Sequence, residues 1–365
     1  MGGSRVNFTF DTIPPVQELV IVIPDLYLPR ELRGADEETA ALGDIPGIES
    51  VARFGTRTAL AAGWRAWLLG RVGRAELEDV APVCIAAAAL AAGSTAARPD
   101  TSAAAVTRWI ASALHLRAGL TRVHLDHRGL LRLAAGEQRA LAEDFAHTFG
   151  SSGYALEPLP TGEFLLSTPG LEAVATDEPA RCAGRELDAQ LPGGRATAPL
   201  RRLLAETEMW LHAQPLNEAR RLRGEAPVTS LWPWGAAGRI VRPEPRAQSE
   251  VPLAFGRDAW LEGLWRLQGA VCRPPPQRLA EVLESGANRA VLGVDVAGLL
   301  HGEENTLGSA VRRLDERFVS PAVHALRDRK LARLTVVLND ACVQLDRRSL
   351  RRFWRRAPTG LAGFA

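Results

Sequence analysis

The sequence predicts an α/β protein: a central, mostly parallel sheet flanked by helices, with a smaller α+β domain inserted over residues 112–195. Two runs carry the parallel sheet, Glu18 to Asp25 and Arg289 to Asp295, each an apolar, β-branched stretch that ends in an acid. A strand covered on both faces has no solvent side, so its sequence loses the polar alternation of a half-exposed strand. The insert is read from a change of texture between His115 and Pro192, where short strands surround one helical repeat. Length agrees with this division, because 365 residues that are 46% hydrophobic exceed one minimal domain and bury a large core. The expected division is therefore 1–111 and 196–365 for the two parts of the main domain.

Taken in order, the first strand ends at Asp25, where ligands of open α/β sheets gather. A strand-end acid that caps a turn is the alternative reading of Asp25. Next, Ile45 to Gly55 has a helical apolar face at Ile48, Val51 and Ala52, with Gly55 to end it. In the insert, Thr121 to Asp126 and Gly129 to Leu133 form a hairpin candidate across a polar turn. Glu137 to Phe149 has helical periodicity, and Gly162 to Ser167 supplies a further strand. The last strand, Leu334 to Ala341, is again an apolar run leading to an acid, Asp340.

The stretch Glu206 to Gly238 is the most distinctive. Pro215 opens a short helix that Gly224 closes, and Asn217, Arg220 and Arg221 recur on it at three- and four-residue spacing, so amide and guanidinium groups crowd one side. Beyond it, Val228 to Trp234 is β-rich and runs into Gly235 and Gly238. The run Gln214-Pro215-Leu216-Asn217-x-x-Arg220, then Gly224-x-x-Pro227, then Leu231-Trp232-x-Trp234-Gly235-x-x-Gly238, resembles the signature of the RpfE-type regulatory protein family. That family is similar to the archaeal-type cofactor-independent phosphoglycerate mutases of the alkaline phosphatase superfamily. The resemblance implies an alkaline phosphatase-like sheet with an inserted substrate-handling domain. It also implies a ligand pocket drawing on Arg117, Asn217, Arg220, Trp232, Trp234 and Gly235, and a metal set drawing on Asp25, Asp295, His301 and Asp340.

The departures from that family matter as much. Where the mutases place Arg-Cys-Asn-Phe, the chain has Arg117-Ala118-Gly119-Leu120; where they place His-Arg, it has Glu163-Phe164; their Asp-Pro-His is Glu178-Pro179-Ala180. Asp295 and His301 stand further apart than the family's metal pair, and Ala341 stands where a histidine follows the aspartate. Catalysis with two metals needs a full ligand set holding the ions about 3.5–4 Å apart. Thr56 and Thr58 are the hydroxyls near the position of the mutase serine, and neither has a base or metal placed to activate it. The expectation is a catalytically degenerate mutase-like protein with no catalytic residues, acting in regulation or interaction on a protein partner or a phosphorylated small molecule. The competing expectation is an active mutase or phosphatase that uses manganese or zinc, with Thr56 or Thr58 as nucleophile.

Composition narrows the class further. A net charge of +2 argues against a general nucleic-acid or anionic-membrane binder. Lys330 is the single lysine, a bias that a GC-rich genome explains without any phosphate-binding role. Cys84, Cys182, Cys272 and Cys342 are scattered and suit a reduced, cytoplasmic protein. Ala81 to Gly93 is apolar but too short to span a bilayer. Arg347 to Arg356 interleaves arginine with Leu350, Phe353 and Trp354 at helical spacing, predicting a basic C-terminal helix packed on the domain.

Overall fold

The computed structural model describes residues 16–27, 44–90, 106–119, 123–186, 197–239, 243–246, 250–300, 306–338, 340–352 and 354–355. Fourteen strands are described. They are β1 (Val16–Val22), β2 (Thr56–Ala59), β3 (Val106–Leu114), β4 (Arg117–Ala118), β5 (Val123–Leu125), β6 (Ala155–Pro158) and β7 (Phe164–Pro169). There follow β8 (Arg185–Glu186), β9 (Ser230–Ala237), β10 (Leu253–Phe255), β11 (Cys272–Arg273), β12 (Arg289–Gly293), β13 (Leu331–Leu338) and β14 (Ala341–Asp346).

The larger sheet has the order β11-β10-β12-β1-β13-β14-β2, and its first five strands are parallel. Strand β1 lies in the middle, with Leu19 opposite Ala290 on one side and Leu334 on the other. Alternate residues of β1 feed opposite layers. Leu19 and Ile21 pack with the helices Pro46–Phe54, Leu307–Leu314 and Ser320–Arg327. Val20 and Val22 pack with the helices Gly63–Arg71 and Ala259–Arg266. Both faces are covered, which is why the run reads as unbroken apolar sequence.

The second sheet is antiparallel, of order β6-β7-β3-β9. One face, through Trp109, Phe164 and Leu231, takes the helices Ala135–Phe149 and Ala198–His212. The other, through Ile110, Leu165, Trp232 and Trp234, packs on Val83, Cys84, Ala86 and Ala87. This is the use of the alanine-rich stretch: its small side chains let two layers approach closely, and a methyl added at Gly263 of the facing helix would run into the Ile85 carbonyl. A small third sheet has the order β4-β5-β8. Among the described residues no helix is long and apolar enough to cross a membrane.

Two expectations change. The second sheet takes in β3 from Val106 and β9 as far as Ala237, so the antiparallel layer reaches beyond 112–195 at both ends, and the Trp-x-Trp-Gly stretch belongs to it. At the C-terminus the described residues form a short 3₁₀ turn, Ser349–Arg351, in place of a longer helix. Arg352 donates to the Phe54 carbonyl and Arg355 to that of Gly55. These cations therefore cap the C-terminal end of Pro46–Phe54, where the helix dipole favours positive charge.

Candidate functional site

The carboxyl ends of the parallel strands meet the inner face of the second sheet, and charged side chains from both are buried there. Asp25 follows β1, Asp258 follows β10 as the N-cap of Ala259–Arg266, and Asp295 follows β12. From the other layer come Ser112 of β3, Arg132, Glu163 at the entrance to β7, and Trp234 of β9. Glu178, at the start of the short helix Pro179–Cys182, and Arg65, in the first turn of Gly63–Arg71, complete the group. The cavity left among them measures about 30 Å³, room for a water or two and no more.

Arginines bind this region together. Arg132 reaches Asp295 at 3.4 Å and Glu163 at 3.9 Å, joining the two sheets. Arg65 forks Glu178 with bonds of 2.7 and 2.6 Å, and its guanidinium lies 4.6, 5.0 and 5.7 Å from the ring centres of Trp64, Trp234 and Trp260. Glu163 accepts from Ser112 at 2.7 Å, and the Ser112 hydroxyl in turn accepts from the Trp234 indole at 3.0 Å. Such two-toothed arginine pairs are the strong members of their class, and the low dielectric of a dry site strengthens them.

Among the described residues five acids, Asp25, Glu163, Glu178, Asp258 and Asp295, outnumber the arginines Arg65 and Arg132 that pair with them and Arg181 that lies near Glu178, so protonation offsets part of the charge. Burial, then the neighbouring Asp295, push the Asp25 carboxyl from the ordinary 3.8 up to about 7, against the backbone N–H groups of Ala297 and Val296 that hydrogen-bond to it. Burial likewise raises Glu163 against the pull of Arg132, and Asp258 against that of Arg65. Tyr27 rises too, by burial and the nearby Glu178.

The residues singled out in the sequence fall in several places. Asp25, Asp295 and Trp234 reach this centre. Asp340 sits in the β13–β14 turn with a φ of 54°, and Arg181 grips both its oxygens at 2.6 and 2.9 Å. His301 lies outside the described residues. Asn217 is buried with its whole amide used on backbone: it donates to the Leu211 and Val228 carbonyls and accepts from Val228 N–H. Arg220 donates to the Ala226 carbonyl and to both oxygens of Glu137. These two fasten the turn before β9 and leave no open polar face. Arg117 is exposed on β4, 3.6 Å from Asp126, while the Trp232 indole donates to the Asp177 carbonyl. Gly235 has a φ of 64°, and a Cβ there would come within 3.0 Å of the Pro82 ring, so close approach of the two layers explains this glycine. Thr56 and Thr58 lie on β2, an exposed edge strand remote in role from the centre.

The described members of the implied metal set, Asp25, Asp295 and Asp340, are engaged by other partners. Among the described residues no three His, Cys, Asp or Glu side chains form a group able to hold a metal. Both oxygens of Asp25 already accept backbone N–H groups, and both of Asp340 face a guanidinium. The residues the sequence reading passed over are the arginine partners Arg65, Arg132 and Arg181, together with Asp258. Only Asp258 carried a local signal, an acid placed before a helical apolar run.

No family model matches the sequence, and no curated protein matches it. Among solved structures, the chain is similar to the cofactor-independent phosphoglycerate mutase from Thermoplasma acidophilum DSM 1728, at 16% identity over 90% of each chain with a TM-score of 0.35. It is also similar to the PH0037 protein from Pyrococcus horikoshii, at 14% identity over 91% of this chain and 88% of that one, with a TM-score of 0.41.

Proposed function

We propose that this chain is a catalytically silent, phosphoglycerate mutase-like protein that acts in regulation or interaction, with arginines holding two strand-end acids, Asp295 and Asp340, that metal ions would hold in an active enzyme. The observation that carries the reading is the fork between Arg181 and Asp340, 2.6 and 2.9 Å, at the end of β13. A guanidinium supplies the positive charge and directional donors that a carboxylate seeks, but unlike a metal it offers no open coordination position to polarise a phosphoryl oxygen or activate water. The sequence departures at Glu163, Ala180 and Ala341 support the same reading, since each removes a residue type that the resemblance implies for substrate or metal.

Calorimetric titration with manganese and zinc tests this on the intact protein, beside an Asp25→Ala/Asp340→Ala double variant. The reading expects no tight uptake that distinguishes the two, and no turnover of phosphoglycerates or simple phosphomonoesters in metal-treated protein. Tight binding lost in the double variant, together with turnover, would overturn it in favour of an active metal-dependent mutase or phosphatase.

A further inference from the structure

Between Arg347 and Arg355 the chain has five arginines and no acid. These five charges exceed the net charge of +2 on the whole chain, so the remainder is net acidic and positive charge is concentrated at this end. The last turn of Pro46–Phe54 adds Arg53, while the acid of that helix, Glu49, stands in its first turn.

Two of the five arginines fix the segment in place. Arg352 donates to the Phe54 carbonyl at 3.4 Å and to the Thr56 hydroxyl at 3.2 Å, and Arg355 donates to the Gly55 carbonyl at 2.8 Å. The Arg355 carbonyl accepts in turn from the Arg53 Nε at 2.6 Å. These bonds offset only the partial negative charge of a helix end, which is about half an elementary charge. Asp346 is the acid that precedes the turn, and one of its oxygens accepts from both the N–H and the hydroxyl of Ser349, each at 2.7 Å.

Arg347, Arg348 and Arg351 are exposed, and among the described residues their side chains have no partner. The Arg351 N–H donates to the Arg348 carbonyl at 3.1 Å. That is the three-residue spacing at which 3₁₀ side chains eclipse, so these two guanidinium groups project to one side. Trp354 follows three residues later with 69% of its surface exposed. Arginine and tryptophan are the residue types enriched among the anchors of protein interfaces.

We infer that this turn docks a short acidic segment of a partner protein, with carboxylates on Arg347, Arg348 and Arg351 and an apolar residue of the segment on the Trp354 indole. Guanidinium forks match carboxylates in geometry, and the bonds of Arg352 and Arg355 to fixed carbonyls order the turn before the partner arrives. A long nucleic acid fits less well, because it needs a basic track and would run from this turn onto a net acidic remainder. The surface lies outside the buried acid centre, so the inference holds whether or not that centre takes up a metal.

The test is fluorescence anisotropy on the full chain, with a labelled Glu-Glu-Leu-Glu-Asp-Leu-Glu-Glu peptide and a twelve-nucleotide oligothymidine as probes. Saturable peptide binding that weakens with added salt is expected, falling at least about tenfold in an Arg347→Gln/Arg348→Gln/Arg351→Gln variant. Trp354→Ala should weaken the peptide several-fold while leaving the salt dependence as it was, which separates the apolar contact from the charges. An unchanged urea unfolding midpoint in the triple variant shows that the fold is intact. Absence of saturable peptide binding, or equal binding by parent and triple variant, would overturn the inference. So would tighter binding of the oligothymidine than of the peptide, which would assign the turn to nucleic acid. Metal titration tests the earlier reading separately.

Discussion

Arg65 and Glu178 face each other as a closed fork, Nη1 to Oε2 at 2.7 Å and Nη2 to Oε1 at 2.6 Å, with the side chains 16% and 11% exposed. Arg181 and Asp340 make the same fork with 37% and 31% exposed. Burial decides what each is worth. Removing one partner of a buried pair strands the other charge, at about 3–5 kcal/mol, whereas a solvated pair contributes about 1 kcal/mol or less. Arg65→Ala, which also loses the stack on three tryptophans, is therefore expected to lower unfolding stability several times more than Arg181→Ala. Urea unfolding of both variants, with Arg65→Leu/Glu178→Leu as the second arm, checks this; the double replacement should recover much of the loss.

Asp25 makes stability depend on pH in a definite direction. Its folded-state carboxyl titrates near about 7 instead of 3.8, so between these values the folded protein holds a proton that the unfolded chain has released. This contribution is complete below about pH 4 and disappears as pH rises through about 7, by on the order of several kcal/mol. Glu163 and Asp258, raised in the same sense, add to the slope. Denaturant unfolding at intervals from pH 4 to 8 should show stability falling, and Asp25→Asn should flatten the fall. An Asp25→Asn profile parallel to that of the parent would refute this assignment.

Asn217→Ala should damage the fold and not a ligand site. Three buried hydrogen bonds to backbone groups of Leu211 and Val228 vanish together. At roughly 1 kcal/mol each the loss is about 3 kcal/mol. Thermal unfolding measures it, and binding of phosphorylated small molecules should be the same before and after.

Two glycines separate packing from backbone entropy. Gly263→Ala pushes a methyl into the Ile85 backbone and should cost about 3 kcal/mol, because neither layer can retreat without opening the core. Gly70→Ala meets nothing within 4 Å inside Gly63–Arg71, and should stabilise by roughly 0.5–1 kcal/mol. Melting temperatures that move in the same direction for both would contradict this account.

The parts of the fold legible in the sequence were those where one local pattern has one structural meaning. The runs now seen as β1, β12 and β13 were unbroken and apolar because both faces are covered, and Gly224 closes its helix with a φ of 72°. The site was harder to read, because strand order decides which strand-end acids meet. Placing β12 beside β1 brings Asp295 to Asp25, and no feature of either run announces that neighbour. Asn217 and Arg220 misled for a different reason: polar groups at helical spacing look alike whether they await a ligand or are fastening a turn. Arg65, Arg132 and Arg181 act through partners distant in the chain, so they left no spacing to find.

The central place of β1 has a consequence for synthesis. Both of its neighbours, β12 and β13, come from beyond Arg289, and Asp315 likewise caps the helix Pro46–Phe54 by accepting from the N–H groups of Gly47 and Ile48. As the chain leaves the ribosome, its first strand and helix emerge long before anything can pair with them. Residues 16–22 then travel as an uncovered apolar segment with free edges until residues 289–338 are made, the condition under which nascent chains associate wrongly.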